Sequence, residues 1–584
     1  MKTILSGVLL LLSLLLLPAH GCAAENARVG WMIYPYLLSM PEDQYQRLLQ
    51  SKDVEYVGIQ VTAKSAYSDD QTKARVRELA RAGKKIVLQL WYGAGRPFSW
   101  ERYNFPNIAL DPRIREEFFS KVTDPLIDFL GANNLYAVHL LEETGMQYGW
   151  DVDMPGRPDR DDDGYENGSN WDNPPSFTME RCISGPNVLT IRKYQEVCRA
   201  QTGLDMRLSP IWTPEQQEGF RTWVQQTMEA GAHNEFAKHV HKKYPGLRVY
   251  AFNMGPALGP QSRVLDGQFI DPYTSTVGVY LCLRGFRAVM RPDEELVGMV
   301  WGNREEPIPQ RLPQQAACYL GGCSVLSTFG DNEYRDPQWF STVRDSVNPF
   351  LGLPVFRSQP KVLLLERNPF AASLRHAQYW ITGFAQYDVC EDWAEDQISL
   401  DNYEMVFSYA GWHKGLPDWV RRGGVLVTVH PASNLLVTEG LLEAGGNPKR
   451  ETIDYRPDPW MREHLGLRES YPLQLDHRID YPVKNTAAIH QDQFLYVIPY
   501  GKGLIVLISA ICDVQAPWVY APHWEPYRQL LTDVCRGTLI YQGKAQLADT
   551  CFDDPKLGND YLKATSADGR YTVYLLLNDV HGSA

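Results

Sequence analysis

"VEYVGIQV" from Val54, "DQTKARVRELARAGKK" from Asp70 and "KIVLQLWYG" from Lys85 come in succession, with only a short stretch, 62–69, between the first two. A β-branched apolar run, an amphipathic helical pattern closed by Gly83, and a second apolar run make a βαβ unit. Two parallel strands need such a crossover helix between them. The same alternation extends in both directions. Upstream lies "VGWMIYPY" from Val29; downstream lie "LYAVHLLEE" from Leu135, "LRVYAFNMG" from Leu247, "GQFIDPY" from Gly267, "ELVGMVWG" from Glu295 and "CSVLSTFG" from Cys323. Helical stretches such as "NEFAKHVHKKYPG" separate them and end in Gly, as helix C-termini often do. Eight such strands over roughly 320 residues predict a (β/α)₈ TIM barrel spanning 28–355. A long polar insertion, from about Gly145 to Pro186, follows the fourth strand.

A second α/β unit is predicted over 360–540. "KVLLLE" reads as a buried strand, "HAQYWITGFAQYDV" as a helix and "YEMVFSYA" as a strand. "LPDWVRRGGVLVTVHP" is a helix running into a strand, and "KGLIVLISA" leads to a helix near Tyr527–Cys535. This is a doubly wound, Rossmann-like order. It carries no G-x-G-x-x-G loop or P-loop, and Gly411-Trp412-His413 after "VFSYA" is not a nucleophile elbow. The tail, 541–584, reads as a short C-terminal β segment around "YTVYLLLND".

The 584 residues exceed one ordinary domain, which agrees with this division. With 57 basic and 70 acidic side chains the net charge is −13, so the chain shows no basic footprint for nucleic acid. Lys2, the leucine-rich run Ile4–Leu17 and the small residues after Pro18 read as a signal peptide over 1–21. The mature chain is then expected to be secreted, periplasmic or at the cell surface. Cleavage after Gly21 would free Cys22 for a lipid anchor; Ala19 and His20 depart from the usual lipobox, so a soluble mature protein fits as well. Export permits disulfides. Cys182 with Cys198 and Cys512 with Cys535 are the candidate pairs, and no C-x-x-C occurs.

Barrel enzymes carry their chemistry at the C-terminal ends of the strands. Those ends supply Tyr34, Trp91, Glu142, Glu143, Asn253, Asp271, Tyr273, Trp301, Glu305 and Glu333. Carboxylates paired across a pocket lined with aromatics and amides are what glycosidic cleavage needs. One protonates the leaving oxygen, and the other attacks the anomeric carbon or activates water. Taken singly, each acid also fits a helix cap or an Arg partner. His139 reads as a barrel histidine, and His413 and His430 read as structural.

These motifs resemble the family 42 β-galactosidases among the (β/α)₈ glycosidases. "LEETG" matches an Asn-Glu-Tyr-Gly type motif, which makes Glu143 the general acid/base and puts Glu142 in place of the Asn that touches the sugar. "AFNMG" and "LDGQFIDPY" match the ends of strands five and six, carrying over Asn253, Asp271 and Tyr273. The resemblance also implies an amidotransferase-like trimerisation domain after Lys361, hence a homotrimer, and no catalytic cofactor. One departure stands out: the family's strand-seven Glu is replaced by Val300-Trp301-Gly302. Glu305 or Glu306 can serve from the loop, Asp271 or Glu333 can serve instead, or the site is not a glycosidase site. The expected function is therefore a glycoside hydrolase acting on an extracytoplasmic oligo- or polysaccharide. The alternative is a non-catalytic glycan-binding or scaffold protein; a barrel esterase or amidase lacks a recognisable triad.

In the insertion, Asp159, Asp161 and Asp163 before Gly164 give the D-x-D-x-D-G spacing of a structural calcium loop. Asn170 stands where an EF-hand has Glu, so a solvated acidic loop is the other reading.

Overall fold

The computed structural model describes residues 27–34, 37, 40–61, 70–90, 105–140, 191–205, 213, 216, 219, 223, 230–253, 264–270, 276–291, 293–301, 308–329, 337–366, 387–391, 398–409, 415–429, 436, 440, 442–443, 445–447, 449–482, 490–512, 525–551, 561–565 and 572–576.

Eight strands form a closed parallel barrel in chain order. They are β1 (Gly30–Ile33), β2 (Val54–Val61), β3 (Lys85–Leu90), β4 (Ala137–His139), β5 (Arg248–Asn253), β6 (Gly267–Ile270), β7 (Glu295–Trp301) and β8 (Val325–Phe329). The barrel shuts where β1 pairs with β8, Met32 opposite Ser327. Successive side chains point to opposite faces and both faces are buried, which is why these strands read as nearly continuous apolar runs. Met32, Val87, Phe269, Val297, Met299 and Val325 fill the interior. Their alternating neighbours, among them Trp31, Ile33, Ile86, Leu88, Val249 and Leu296, pack outward in the main core.

The quoted βαβ unit forms as expected. Its helix, Asp70–Arg81, buries Thr72, Arg75, Val76 and Leu79. Gly83 adopts φ 83°, and the Lys84 N–H returns to the Leu79 carbonyl at 3.0 Å, so glycine's freedom closes the helix.

The N-terminal end of the barrel is plugged by a converging polar cluster. Glu295, opening β7, accepts hydrogen bonds from Tyr136 at 2.9 Å, from Tyr56 at 3.3 Å, and from Tyr250. Arg248 lies 3.5 Å from the same carboxylate and donates to the Tyr136 hydroxyl at 3.0 Å. Lys85 donates to Tyr56 at 2.9 Å. Burial, then the Glu295 charge, pushes the Tyr56 and Tyr136 phenols well above their ordinary value, so both stay protonated donors.

A second sheet has the order β10-β9-β11-β12-β17-β16-β15. Its strands are β9 (Val362–Glu366), β10 (Asp388–Glu391), β11 (Met405–Tyr409), β12 (Val425–Val429), β15 (His490–Gln491), β16 (Leu495–Tyr500) and β17 (Gly503–Ile508); the first four and β17 are parallel. Beside it β13 (Lys449–Tyr455), β14 (Tyr471–Arg478) and β18 (Ala510–Ile511) make a small antiparallel sheet that the sequence reading did not contain. The chain is thus an α/β TIM barrel with a second α/β unit.

Three expectations need correction. Asp388 and Val389, placed at the end of a helix, open β10, because an apolar run this short fits either element. The tail is not purely β. The helix Glu525–Tyr541 runs through its expected start and a further helix, Ala545–Cys551, precedes the β19 (Tyr561–Thr565) and β20 (Thr572–Leu576) hairpin. Cys512 and Cys535 are buried free thiols rather than a bridge.

A buried ion pair joins the two units. Arg284, on the barrel helix Thr276–Val289, donates from Nε to Asp388 at 3.1 Å, and Tyr403 donates to the other carboxylate oxygen at 2.9 Å. Arg284 is 3% exposed and Asp388 6%, so neither charge has water to fall back on.

Candidate active site at the barrel mouth

The plug leaves the C-terminal rim as the end at which chemistry can be built. Just below it the strands run in register, Gln60 opposite Gln89 and Gln89 opposite His139, with His139 opposite Tyr250. His139, the last residue of β4, is fully buried and stacks on Phe269 with ring centroids 5.9 Å apart. Gln89 is buried beside it. Phe269 also takes the edge of the Tyr34 ring at 5.7 Å. Tyr34 lies over Gly58, where an added Cβ would overlap its ring, so the missing side chain at that position on β2 gives Tyr34 its place. One phenylalanine from β6 thereby supports the tyrosine just after β1 and an imidazole from β4, making an aromatic floor with buried polar groups in it.

Of the expected site residues, Tyr34 is at this floor, while Asn253 and Trp301 are the last residues of β5 and β7. Trp301 pairs with Phe329 of β8. Glu142, Glu143, Trp91, Asp271, Tyr273, Glu305 and Glu333 lie outside the described residues, as do Cys22, Cys182, His413, His430 and the loop acids Asp159, Asp161 and Asp163. Among the described residues no group of three or more His, Cys, Asp or Glu side chains is placed to hold a metal ion. In chain order Glu142 and Glu143 are the third and fourth residues after β4, and Asp271 immediately follows β6.

Sequence reading missed Phe269 as the shared support and Gly58 as the space it needs. Both obey the period-two inward parity, which was the available signal. It also missed Glu295. Among the described residues this carboxylate faces the interior at the wrong end for catalysis, and three tyrosines and Arg248 occupy it.

No family model matches the sequence, and no curated protein matches it. Solved structures do match. The β-galactosidase from Bacillus circulans sp. alkalophilus is 12% identical, with a TM-score of 0.63 over 94% of this chain and 92% of that one. The cold-adapted β-galactosidase from Rahnella sp. R3 is also 12% identical, with a TM-score of 0.61 over 95% and 94%. That from the psychrophilic Marinomonas ef1 is 11% identical, with a TM-score of 0.59 over 92% and 94%. At so low an identity over nearly whole chains, what this protein shares with these β-galactosidases is their fold.

Proposed function

We propose that the chain is a glycoside hydrolase that cleaves glycosidic bonds by carboxylate acid/base catalysis. The observation that carries this reading is the end-to-end likeness of fold to β-galactosidases. A barrel plugged at one end supports it, since Glu142 and Glu143 come three and four residues after β4 and Asp271 directly after β6 at the other. Glu143 is the proton donor in this reading, and Asp271 or Glu305 is the nucleophile or base. Glu142, Tyr34, Trp91, Asn253, Tyr273, Trp301 and Glu333 contact the sugar. A carboxyl separation of about 5–5.5 Å would give retention, and about 6.5–9.5 Å inversion.

The test is turnover of a panel of aryl glycosides, with β-galactosides first, by the wild type and Glu143→Gln. The variant should fold and lose at least about two orders of magnitude in kcat. Unchanged hydrolysis removes Glu143 from the mechanism. A specific observation favours the non-catalytic reading: β7 ends in Trp301 rather than a carboxylate. Glycan binding with no turnover of any aryl glycoside would decide for it.

The leader-like 1–21 segment supports action outside the cytoplasm on an oligo- or polysaccharide. Intact mass of the mature chain would report cleavage and any lipid on Cys22, and sedimentation would report whether it is a trimer.

A further inference from the structure

The helix Ile308–Leu320 ends and β8 begins within one tight turn. Gly322 sits at φ 91° and its N–H bonds the Tyr319 carbonyl at 3.0 Å, while the Cys323 N–H bonds the Cys318 carbonyl, also at 3.0 Å. This is the Schellman arrangement, in which the residue after the glycine returns to the residue five positions earlier, usually with an apolar contact between the two side chains. Here both are cysteines, buried and unbridged in the structure like Cys512 and Cys535. The direct main-chain bond holds their Cα atoms under ~7 Å apart, the span a disulfide bridges. Both also face Gly298 of β7, where an added Cβ would lie 2.7 Å from either sulfur, so the glycine leaves the space the sulfur pair fills.

We infer that Cys318 and Cys323 are a disulfide-forming pair that staples the last barrel helix to the closing strand, with a small-molecule disulfide as oxidant. One cysteine thiolate attacks the oxidant, RS–SR, forming a mixed disulfide and releasing RS⁻. The second thiolate attacks the cysteine sulfur of that mixed disulfide and expels the second RS⁻. The protein loses two hydrogens, and the oxidant is reduced to two RSH. Both cysteines are fully buried, and burial pushes the Cys318 thiol far above its ordinary value. The buried Cys318 therefore holds little thiolate, and the bond closes as the chain folds or when the turn opens. Because β8 completes the barrel against both β7 and β1, the staple acts where the ring shuts.

The experiment uses the full chain, made once in a reducing cytoplasm and once by export into an oxidising compartment, then acid-quenched, alkylated and digested with trypsin. The peptide Leu312–Arg335 holds Cys318 and Cys323 and no other cysteine. From the exported chain it should appear lighter by two hydrogens and unalkylated. From the cytoplasmic chain it should carry two alkyl groups and convert to the bridged form in oxidised glutathione. The oxidised chain should melt about 2–3 °C higher than the reduced one. Cys318→Ser and Cys323→Ser should each abolish that difference. Two alkyl groups on the exported peptide, a bridge from either cysteine to a third, or glutathione left on either would overturn the assignment. The wild-type peptide decides even if both variants fail to fold.

Discussion

Replacing Asp388 by alanine should uncouple the second unit from the barrel. In the native protein the carboxylate takes the Arg284 guanidinium on one oxygen and the Tyr403 hydroxyl on the other. Burial works against the charged Arg284, and Asp388 more than restores it. Arginine does not neutralise near neutral pH, so Asp388→Ala strands a positive charge at a site 3% exposed. Breaking a buried pair from one side costs about 3–5 kcal/mol, a cost that includes the orphaned Tyr403 hydroxyl because the three groups form one network. That is a large share of the ~5–15 kcal/mol that holds a typical domain. The double variant Arg284→Met/Asp388→Leu removes both charges and should regain most of the loss. The assay is urea unfolding followed by tryptophan fluorescence and far-UV circular dichroism. A transition that splits in Asp388→Ala and merges again in the double variant fits the reasoning. A single-variant cost below ~1 kcal/mol, or a double variant no better than the single, would refute it.

Three further outcomes follow from the geometry. Burial pushes the Glu294 carboxyl up to about 8, with Arg291 at 2.9 Å relieving part of the cost. The unfolded chain gives up this proton first, so stability falls by roughly 3–5 kcal/mol as pH rises from about 4.5 to 8. Glu294→Gln should be the more stable protein in denaturant titrations at pH ~8.5 and no more stable at pH ~4. Gly58→Ala should push Tyr34 off the floor, lowering kcat/KM on the best aryl glycoside by about tenfold or more while costing ~1–3 kcal/mol in stability; unchanged kinetics would remove Tyr34 from substrate contact. Glu295→Gln should destabilise the barrel by about 2–4 kcal/mol, measured by urea unfolding, yet leave kcat of the surviving folded enzyme near wild type, because it acts at the far end.

The barrel was legible because buried parallel strands are apolar on both faces, and "KIVLQL" or "ELVGMVW" admit few other readings once helices alternate with them. Strand β13, "KRETIDY", went unread for the opposite reason. It is a mostly exposed antiparallel strand, and its alternating charges resemble a loop. Nothing in "ELVGMVWG" singles out Glu295; its meaning arises only when Tyr56 from β2, Tyr250 from β5 and Tyr136 just before β4 converge on it. Cys318 and Cys323 were passed over in favour of wider spacings, because a gap of five residues brings thiols together only through the Schellman turn. The floor was partly readable as strand ends, but the shared support by Phe269 depends on inward parity from β1, β4 and β6 together.

The Glu295 cluster ties β2, β5, β7 and the residue just before β4 together at one end of the barrel. The strand ends that supply the candidate site residues lie at the other end. Anchorage and candidate site are thus separated along the barrel axis, so substitutions at the rim can accumulate without loosening the cluster.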